Sequence, residues 1–257
     1  MHTQQPSTSV PIVPLAGRPA GQWSAIGAIA FAVAVMGLAV GAALTVQTGY
    51  ALWHTSLDPV LAERVLAPND PRFLLVVQLG GQLLELALCW WLAGLWHRDR
   101  MAALGLTPAR LTASQWIGAV VLLFAVKVAA TMLANVVAPP DRHGELGPFV
   151  ELVRSPDTWL LFLTAVVLAG LTEELIFRGV LSRTLEATRL GFWGGAAIAS
   201  AGFAALHMQY GLGGQVVIFA VGMTLAWIRS RSGSLWPAIV CHSLNNAVAL
   251  LAMRALG

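Results

Sequence analysis

Three short strings in the sequence carry side chains that could do chemistry inside otherwise apolar segments. They contribute Glu173, Glu174 and Arg178 from the first string, Phe203 and His207 from the second, and His242 and Asn246 from the third. A carboxylate can take a proton from water, and an imidazole can orient that water or return a proton to a leaving amine. A His–Asn pair can donate hydrogen bonds to a developing oxyanion. Together the strings favour hydrolysis by an activated water.

A metal-dependent version of this chemistry uses the same side chains. Glu173, His207 and His242 could bind a divalent metal such as zinc, which would then activate the water. The sequence contains no His-Glu-x-x-His string, so the common zinc-protease signal is absent, and no Gly-x-Ser-x-Gly string, which weakens a serine-nucleophile interpretation. The choice between a metal and glutamate alone stays open on these residues.

The two adjacent acids differ in what can compensate their charge. An acid at the centre of a bilayer costs at least ~2.5 kcal/mol. Arg178 follows Glu174 by four residues, which places both on one helix face with the glutamate first, the more favourable order. Glu173 points about 100° away around the helix and faces a different neighbour. A structural ion pair therefore explains Glu174 but leaves Glu173 unexplained.

The composition predicts the elements that must position these side chains. Of the 257 residues, 57% are hydrophobic and 11% are charged, whereas soluble domains carry about 25% charged residues. This excludes a disordered chain and a nucleic-acid-binding protein, and it leaves too little polar surface for a water-soluble globule. The two cysteines lie in apolar segments, so no disulfide framework is expected. We expect an all-α, polytopic bundle of transmembrane helices.

About seven apolar segments, within a range of six to eight helices, have lengths near the ~20 residues that span a bilayer. They cover approximately 25–46, 73–96, 116–137, 159 to beyond 178, 191–208, 215–228 and 235–253. The polar residues 1–22 are predicted to form a disordered cytoplasmic tail, and residues 23–257 a single transmembrane domain. Basic residues are concentrated in alternate short loops, which predicts a cytoplasmic N-terminus for an integral, multi-pass membrane protein.

Spacing predicts that the three strings meet at one depth. Glu173 and His207 are equally far from Leu190 in the turn between the fourth and fifth segments, so antiparallel helices place them at the same level. That level is roughly 15 Å below the membrane surface at 1.5 Å per residue, and His242 lies at a similar depth. Such a meeting is expected of a reactive site, because intramembrane ionisable groups face a cavity and each other.

Two further ionisable residues lie in the N-terminal half of the chain. Glu85 is in the second apolar segment, and Lys127 is in the third. A charge in either place needs a partner on another helix. We expect these two residues to form a structural ion pair between the second and third segments rather than a second site.

The three strings, in this order, resemble the CPBP intramembrane proteases. This family includes the type II CAAX prenyl endoproteases and bacterial bacteriocin-processing and immunity proteins. Its pattern is Glu-Glu-x-x-x-Arg, then Phe-x-x-x-His, then His-x-x-x-Asn, on separate transmembrane helices. The resemblance covers about residues 161–246, and it places a protease-like core at about residues 159–253.

The resemblance implies an endopeptidase that cleaves near a transmembrane or lipid-modified C-terminus. Its partners would be the lipid bilayer and a membrane-associated or lipid-modified peptide. Family members are often called metalloproteases, which implies a divalent metal as a cofactor if one is used. The implied roles are water activation by Glu173 and His207, oxyanion stabilisation by His242 and Asn246, and bracing of the site by Glu174 with Arg178. The short tail and loops favour a bacterial cell membrane, with a peptide substrate other than a prenylated protein.

Two other functions compete with the protease. One is a non-catalytic membrane scaffold or immunity-like partner on the same fold. The other is a small transporter that uses Glu173 and the two histidines as a proton relay. Transporters of this kind commonly contain inverted repeats, and the sequence has no internal repeat, so the transporter is the weakest of the three.

Overall fold

The computed structural model describes residues 23–65, 67–68, 70–137 and 152–256. Within these ranges the ordered elements are helices, and no strand occurs. The main helices are α1 (Ala25–Thr55), α2 (Pro71–Trp96), α3 (Ala113–Val137), α4 (Thr158–Glu186), α5 (Gly191–Ala205), α6 (Gly211–Ser232) and α7 (Trp236–Leu256). Single turns of helix at Pro59–Ala62, Arg100–Ala103 and Met208–Tyr210 lie in the connections. The predicted tail over residues 1–22 lies outside the described residues, and the division into tail and single domain stays a prediction.

The predicted all-α transmembrane bundle is confirmed. Within the described residues, six helices are long and apolar enough to cross a bilayer, and the chain is an integral, multi-pass membrane protein. The exception is α5, whose 15 residues extend only about 22 Å at 1.5 Å per residue. A hydrocarbon core of about 30 Å is too thick for it. The predicted fifth span over residues 191–208 is therefore wrong in length, because the helix ends at Ala205.

Local residues explain where the helices begin and end. Ser24 caps α1 by accepting a hydrogen bond from the backbone N–H of Gly27 at 3.0 Å. Asp70 caps α2, and Pro71 occupies its first position, where the missing N–H has no intrahelical partner to lose. At the other end of α6, Gly233 takes φ +67°, the left-handed conformation that commonly closes a helix.

Helix α4 is the centre of the bundle. It packs against α1, α2, α5, α6 and α7. Two thirds of its apolar window is buried (67%), against 11–39% in the other candidate spans. Helix α3 packs on α6 and α7 and stays more open to the lipid side. Side chains on α4 are therefore the ones that several other helices can reach.

Two stretches of α4 are π-helical, Phe162–Leu168 and Leu175–Ser182. They flank Ala169–Glu174, which carries both adjacent acids. A π-helical stretch shifts the backbone hydrogen-bond register by one residue and is frequent at functional sites. In the first stretch the carbonyl of Thr164 accepts a hydrogen bond from Gln82 Nε2 on α2 at 3.1 Å, so side chains of other helices bond to this part of the α4 backbone.

Glycines bring other groups close to the middle of the bundle. A Cβ on Gly170 would collide with Ser243 Oγ, and one on Gly222 would lie 2.7 Å from Arg178 Nη2. Small residues allow such close approach between transmembrane helices. Helices α6 and α7 therefore sit near enough to α4 to place polar side chains on it.

Candidate active site

The ion pair expected within the first string is present and completely buried. Glu174 and Arg178 are both 0% exposed, and Arg178 Nη1 donates to Glu174 Oε1 at 2.7 Å. The guanidinium also lies over the ring of Phe203, with Cζ 4.5 Å from the centroid, an arrangement that attracts a cation to the ring face. Arg178 thus compensates the buried charge of Glu174 and joins α4 to α5.

His242 of α7 lies between the two adjacent carboxylates of α4. Its Nδ1 donates to Glu174 Oε1 at 2.9 Å. Its Nε2 lies 3.6 Å from Glu173 Oε2, which is too long for a direct hydrogen bond but close enough for an electrostatic interaction. The Glu173 side chain is 28% exposed, whereas that of Glu174 is 0% exposed. Glu173 is therefore the acid of the pair that solvent or substrate can reach.

His207 of the second string lies beyond the end of α5, in the turn that precedes α6. Its Nδ1 bonds to the carbonyl of Phe203 at 2.9 Å. The Phe203 ring meets the His207 ring edge to face at 4.8 Å and the His242 ring at 5.7 Å. Phe203 therefore brings the second and third strings together. In the described part of the chain, Glu173 pairs with His242 and not with His207, although His207 is near enough to act on it electrostatically.

The bonds at Nδ1 determine what each imidazole presents to the site. A backbone carbonyl and a carboxylate only accept hydrogen bonds, so each ring carries its proton at Nδ1. In the neutral ring Nε2 is then an acceptor, and in the protonated ring it becomes a donor. His207 and His242 both use Nδ1 for protein contacts. In each ring Nε2 is the nitrogen that these bonds do not use, and in His242 it faces Glu173.

Asn246 lies one helical turn beyond His242 on the same face of α7. Four residues separate them along the chain, about 6 Å at 1.5 Å per residue. The Asn246 Nδ2 donates to the carbonyl of Ala165 at 2.8 Å, and its Oδ1 accepts from Asn245 Nδ2 at 3.0 Å. Asn246 therefore joins α7 to the first π-helical stretch of α4.

The predicted ion pair between Glu85 and Lys127 is wrong. Lys127 Nζ instead donates to Asn245 Oδ1 at 2.7 Å, because α3 packs on α6 and α7. Glu85 of α2 is instead near enough to Glu173 of α4 to act on it electrostatically. Asn245 was not predicted as a site residue, and its position beside Asn246 was the only sequence signal for it.

The three predicted metal ligands do not form a compact donor set. Within the described residues, no group of three or more His, Cys, Asp or Glu side chains is arranged to hold a metal ion. Among the three, only Glu173 and His242 pair directly. The chemistry that this geometry supports is proton transfer at Glu173 beside two oriented imidazoles.

Comparison with known proteins supports the predicted family. Residues 155–248 match the family model described as Rce1-like, type II CAAX prenyl endopeptidase. This confirms the resemblance to the CPBP family over a region that contains all three strings. A relative from Escherichia coli, described as "Uncharacterized 24.3 kDa protein", is 36% identical over 98 residues, which is 37% of this chain. The match spans 45% of that relative, less than half its length. No solved structure matches the chain.

Proposed function

We propose that this protein, whose C-terminal half matches the CAAX-type membrane protease family, is an intramembrane endopeptidase of membrane-associated peptides. The observation that carries the proposal is the His242 ring, held at Nδ1 by a fully buried carboxylate and facing a partly exposed one at Nε2. Arg178 balances the charge of the buried acid. A structural ion pair needs only Glu174, so the second acid is available for chemistry.

Glu173 is the general base in the first step. It takes a proton from a water molecule while the water oxygen attacks the carbonyl carbon of the scissile peptide bond. His207 accepts a hydrogen bond from the same water at Nε2, because its Nδ1 is bonded to the Phe203 carbonyl. Negative charge develops on the peptide oxygen, where Asn246 Nδ2–H and the protonated Nε2 of His242 donate to it.

The second step returns the proton. The tetrahedral intermediate collapses, the C–N bond breaks, and the leaving nitrogen takes the proton held by Glu173. The products are a new carboxyl terminus and a free amine, and Glu173 is again a carboxylate. Glu174 and Arg178 do not touch the reacting atoms in this scheme. They hold the His242 ring in its orientation.

The substrate follows from where the site lies. Glu173 and His242 lie on α4 and α7, two helices that are long and apolar enough to cross the bilayer, so the peptide must enter from the membrane or be anchored to it. We propose a membrane-associated or lipid-modified peptide as substrate, a bacterial cell membrane as location and a cytoplasmic N-terminus. No step is assigned to a metal, since the donor set is not compact. Glu173, His207 and His242 stay the predicted ligands if a metal takes part.

The test is proteolysis by the purified full-length chain in detergent or nanodiscs. A library of membrane peptides, with and without lipid-modified C-termini, is digested and the products are identified by mass spectrometry. Wild type is compared with Glu173→Gln and with Glu63→Gln, a matched control in an exposed connection. We expect cleavage by wild type and by the control, and a loss of at least about 100-fold in Glu173→Gln.

Chelator treatment and metal analysis of the same samples separate the two mechanisms. Activity that survives chelation supports glutamate alone. Activity that is lost and returns with zinc supports the predicted metal ligands. Full activity of Glu173→Gln would remove Glu173 as the base. Two results together would favour the non-catalytic scaffold or immunity-like partner. Wild type would cleave no peptide in the library, and Glu173→Gln would retain the biological activity of the wild-type protein.

A further inference from the structure

Lys127 is the only lysine in the chain, and it lies in the middle of a transmembrane helix outside the region that matches the family model. A charged side chain in this place is costly and usually marks a functional contact. Within the described residues, no acidic side chain forms an ion pair with it. Its Nζ donates to Asn245 Oδ1 at 2.7 Å, a length typical of a charged donor.

The donor-only ammonium group orients two amides in series. An ammonium group has three donors and no acceptor, so the amide facing it must present its oxygen. The nitrogen of Asn245 then points the other way and donates to Asn246 Oδ1 at 3.0 Å. The nitrogen of Asn246 in turn points away from Asn245 and donates to the carbonyl of Ala165 at 2.8 Å. Lys127, Asn245, Asn246 and Ala165 thus form one directed chain of hydrogen bonds.

The two hydrogen-bond partners of Asn246, which are Asn245 and the Ala165 carbonyl, both oppose rotation of its amide by 180°. In the rotated state Asn246 Oδ1 would face the Ala165 carbonyl, and Nδ2 would face the Asn245 nitrogen. Both contacts would then pair like with like, two acceptors at one end and two donors at the other. An amide nitrogen carries two hydrogens, so the observed orientation uses one of them for the Ala165 carbonyl and leaves a second N–H that this bond does not use.

We propose that Lys127 and Asn245 are positioning residues that fix the Asn246 amide so that its second N–H points at the substrate carbonyl oxygen. The inference rests on the proposed peptidase function for its kinetic consequence. It predicts that part of the oxyanion stabilisation is set by helix α3, in the half of the chain without a family motif. Lys127 itself touches no reacting atom.

The sharpest variant is Asn245→Asp. The new carboxylate still accepts from Lys127, as an ion pair, so the contact between α3 and α7 is kept. It cannot donate to Asn246 Oδ1, however, and Asn246 must rotate to present its nitrogen to it. Lys127→Met removes the donor, and Lys127→Arg retains one. Gln115→Glu is the matched amide-to-acid control. Gln115 lies on α3, the helix of Lys127, and its side-chain oxygen accepts from the Thr112 N–H, a role that a carboxylate keeps.

The kinetic readout separates positioning from a general loss of structure. We expect Asn245→Asp to lower kcat about 100-fold, as loss of an oxyanion donor does, with KM changed less than about twofold. Lys127→Met should lower kcat about tenfold, and Lys127→Arg should recover most of that loss. In an Asn246→Ala background, Lys127→Met should change kcat by less than about twofold, since the two residues act through one group. Equal effects of Lys127→Met in both backgrounds would overturn the proposal.

A second readout does not depend on activity. The chain has four asparagines, so selective 15N-asparagine labelling gives a small set of side-chain NH2 signals, and Asn246→Ala assigns one of them. We expect the Asn246 signals to shift or broaden in Lys127→Met and Asn245→Asp and to stay in place in Gln115→Glu. Unchanged Asn246 signals in both variants would overturn the proposal that Lys127 and Asn245 orient the Asn246 amide. A wild type without peptidase activity would defeat the proposed function alone, because the NMR result still decides the orientation.

Discussion

Replacing Glu174 by glutamine should weaken the fold, whereas the same replacement at the neighbouring Glu173 should inactivate the site and leave the fold in place. The two side chains differ in burial and in partners. Glu174 is 0% exposed and its Oε1 accepts from Arg178 Nη1 at 2.7 Å and His242 Nδ1 at 2.9 Å. Glu173 is 28% exposed and its ion pair with His242 is longer, at 3.6 Å.

The magnitudes follow from these contacts. Removing one partner of a buried ion pair costs about 3–5 kcal/mol, because the other charge is left without compensation. In Glu174→Gln the fully buried guanidinium of Arg178 is that charge. A partly exposed pair contributes at most about 1 kcal/mol. We therefore expect the free energy of unfolding to fall by about 3–5 kcal/mol in Glu174→Gln and by less than about 1 kcal/mol in Glu173→Gln.

The assay is reversible unfolding of the full-length chain in mixed micelles, followed by helix content and tryptophan fluorescence, with peptide cleavage measured on the same samples. Glu63→Gln is the control for an exposed glutamate. A double variant, Glu174→Gln with Arg178→Met, removes the orphaned cation and should regain at least half of the lost stability. Its activity should stay low, because His242 has lost the carboxylate at Nδ1.

Two outcomes would refute this explanation of the paired acids. One is a loss of stability in Glu173→Gln as large as that in Glu174→Gln, which would make both acids structural. The other is a Glu174→Gln variant as stable as wild type, which would mean that Arg178 finds another partner. An additive loss in the double variant would likewise show that Glu174 and Arg178 do not act as a pair.

Two further predictions concern packing and pH. Gly222→Ala should lower the free energy of unfolding by about 1–3 kcal/mol through overpacking, because its Cβ would lie 2.7 Å from Arg178 Nη2 and 2.9 Å from Ser200 Cβ. Chemical denaturation of this variant is compared with that of Gly80→Ala, whose Cβ meets nothing within 4 Å. Equal stabilities of the two variants would contradict the prediction. Burial, with a smaller contribution from the positive charge of Arg183, lowers the pKa of His97 in the folded chain. The unfolded chain therefore binds a proton at His97 more readily than the folded chain does. The free energy of unfolding should decline as pH falls below about 6.5. Unfolding measured from pH 8 to pH 5 should show a smaller decline in His97→Phe than in wild type, and an identical decline in the two would count against this role of His97.

Contacts between residues close in sequence could be predicted because helix geometry alone determines them. The four-residue spacing of Glu174 and Arg178 places them on one face, and the structure has the bond at 2.7 Å. His242 and Asn246 follow the same rule on α7, and both reach α4. The all-α class followed from composition, since a backbone in lipid must satisfy its own hydrogen bonds.

Contacts between helices could be predicted only where depth restricted the choice. Equal distance from a turn correctly suggested that the second string approaches the first, and Phe203 makes the connection. Depth does not say which helices are neighbours, and so Lys127 was given the wrong partner. The end of α5 at Ala205 was also missed, because an apolar sequence continues past it and hydropathy carries no signal for the turn at His207.

The sequence by itself determined that the protein is an all-α membrane protein, which polar residues lie within its apolar helices, and that Glu174 pairs with Arg178. These properties depend on composition and on spacing within one helix. Only the tertiary structure decided that His242 lies between the two acids, and that Lys127 reaches Asn246 through Asn245. The physical reason is that several helices compete for the surface of α4, and side-chain packing around its glycines and π-helical stretches selects which of them meet.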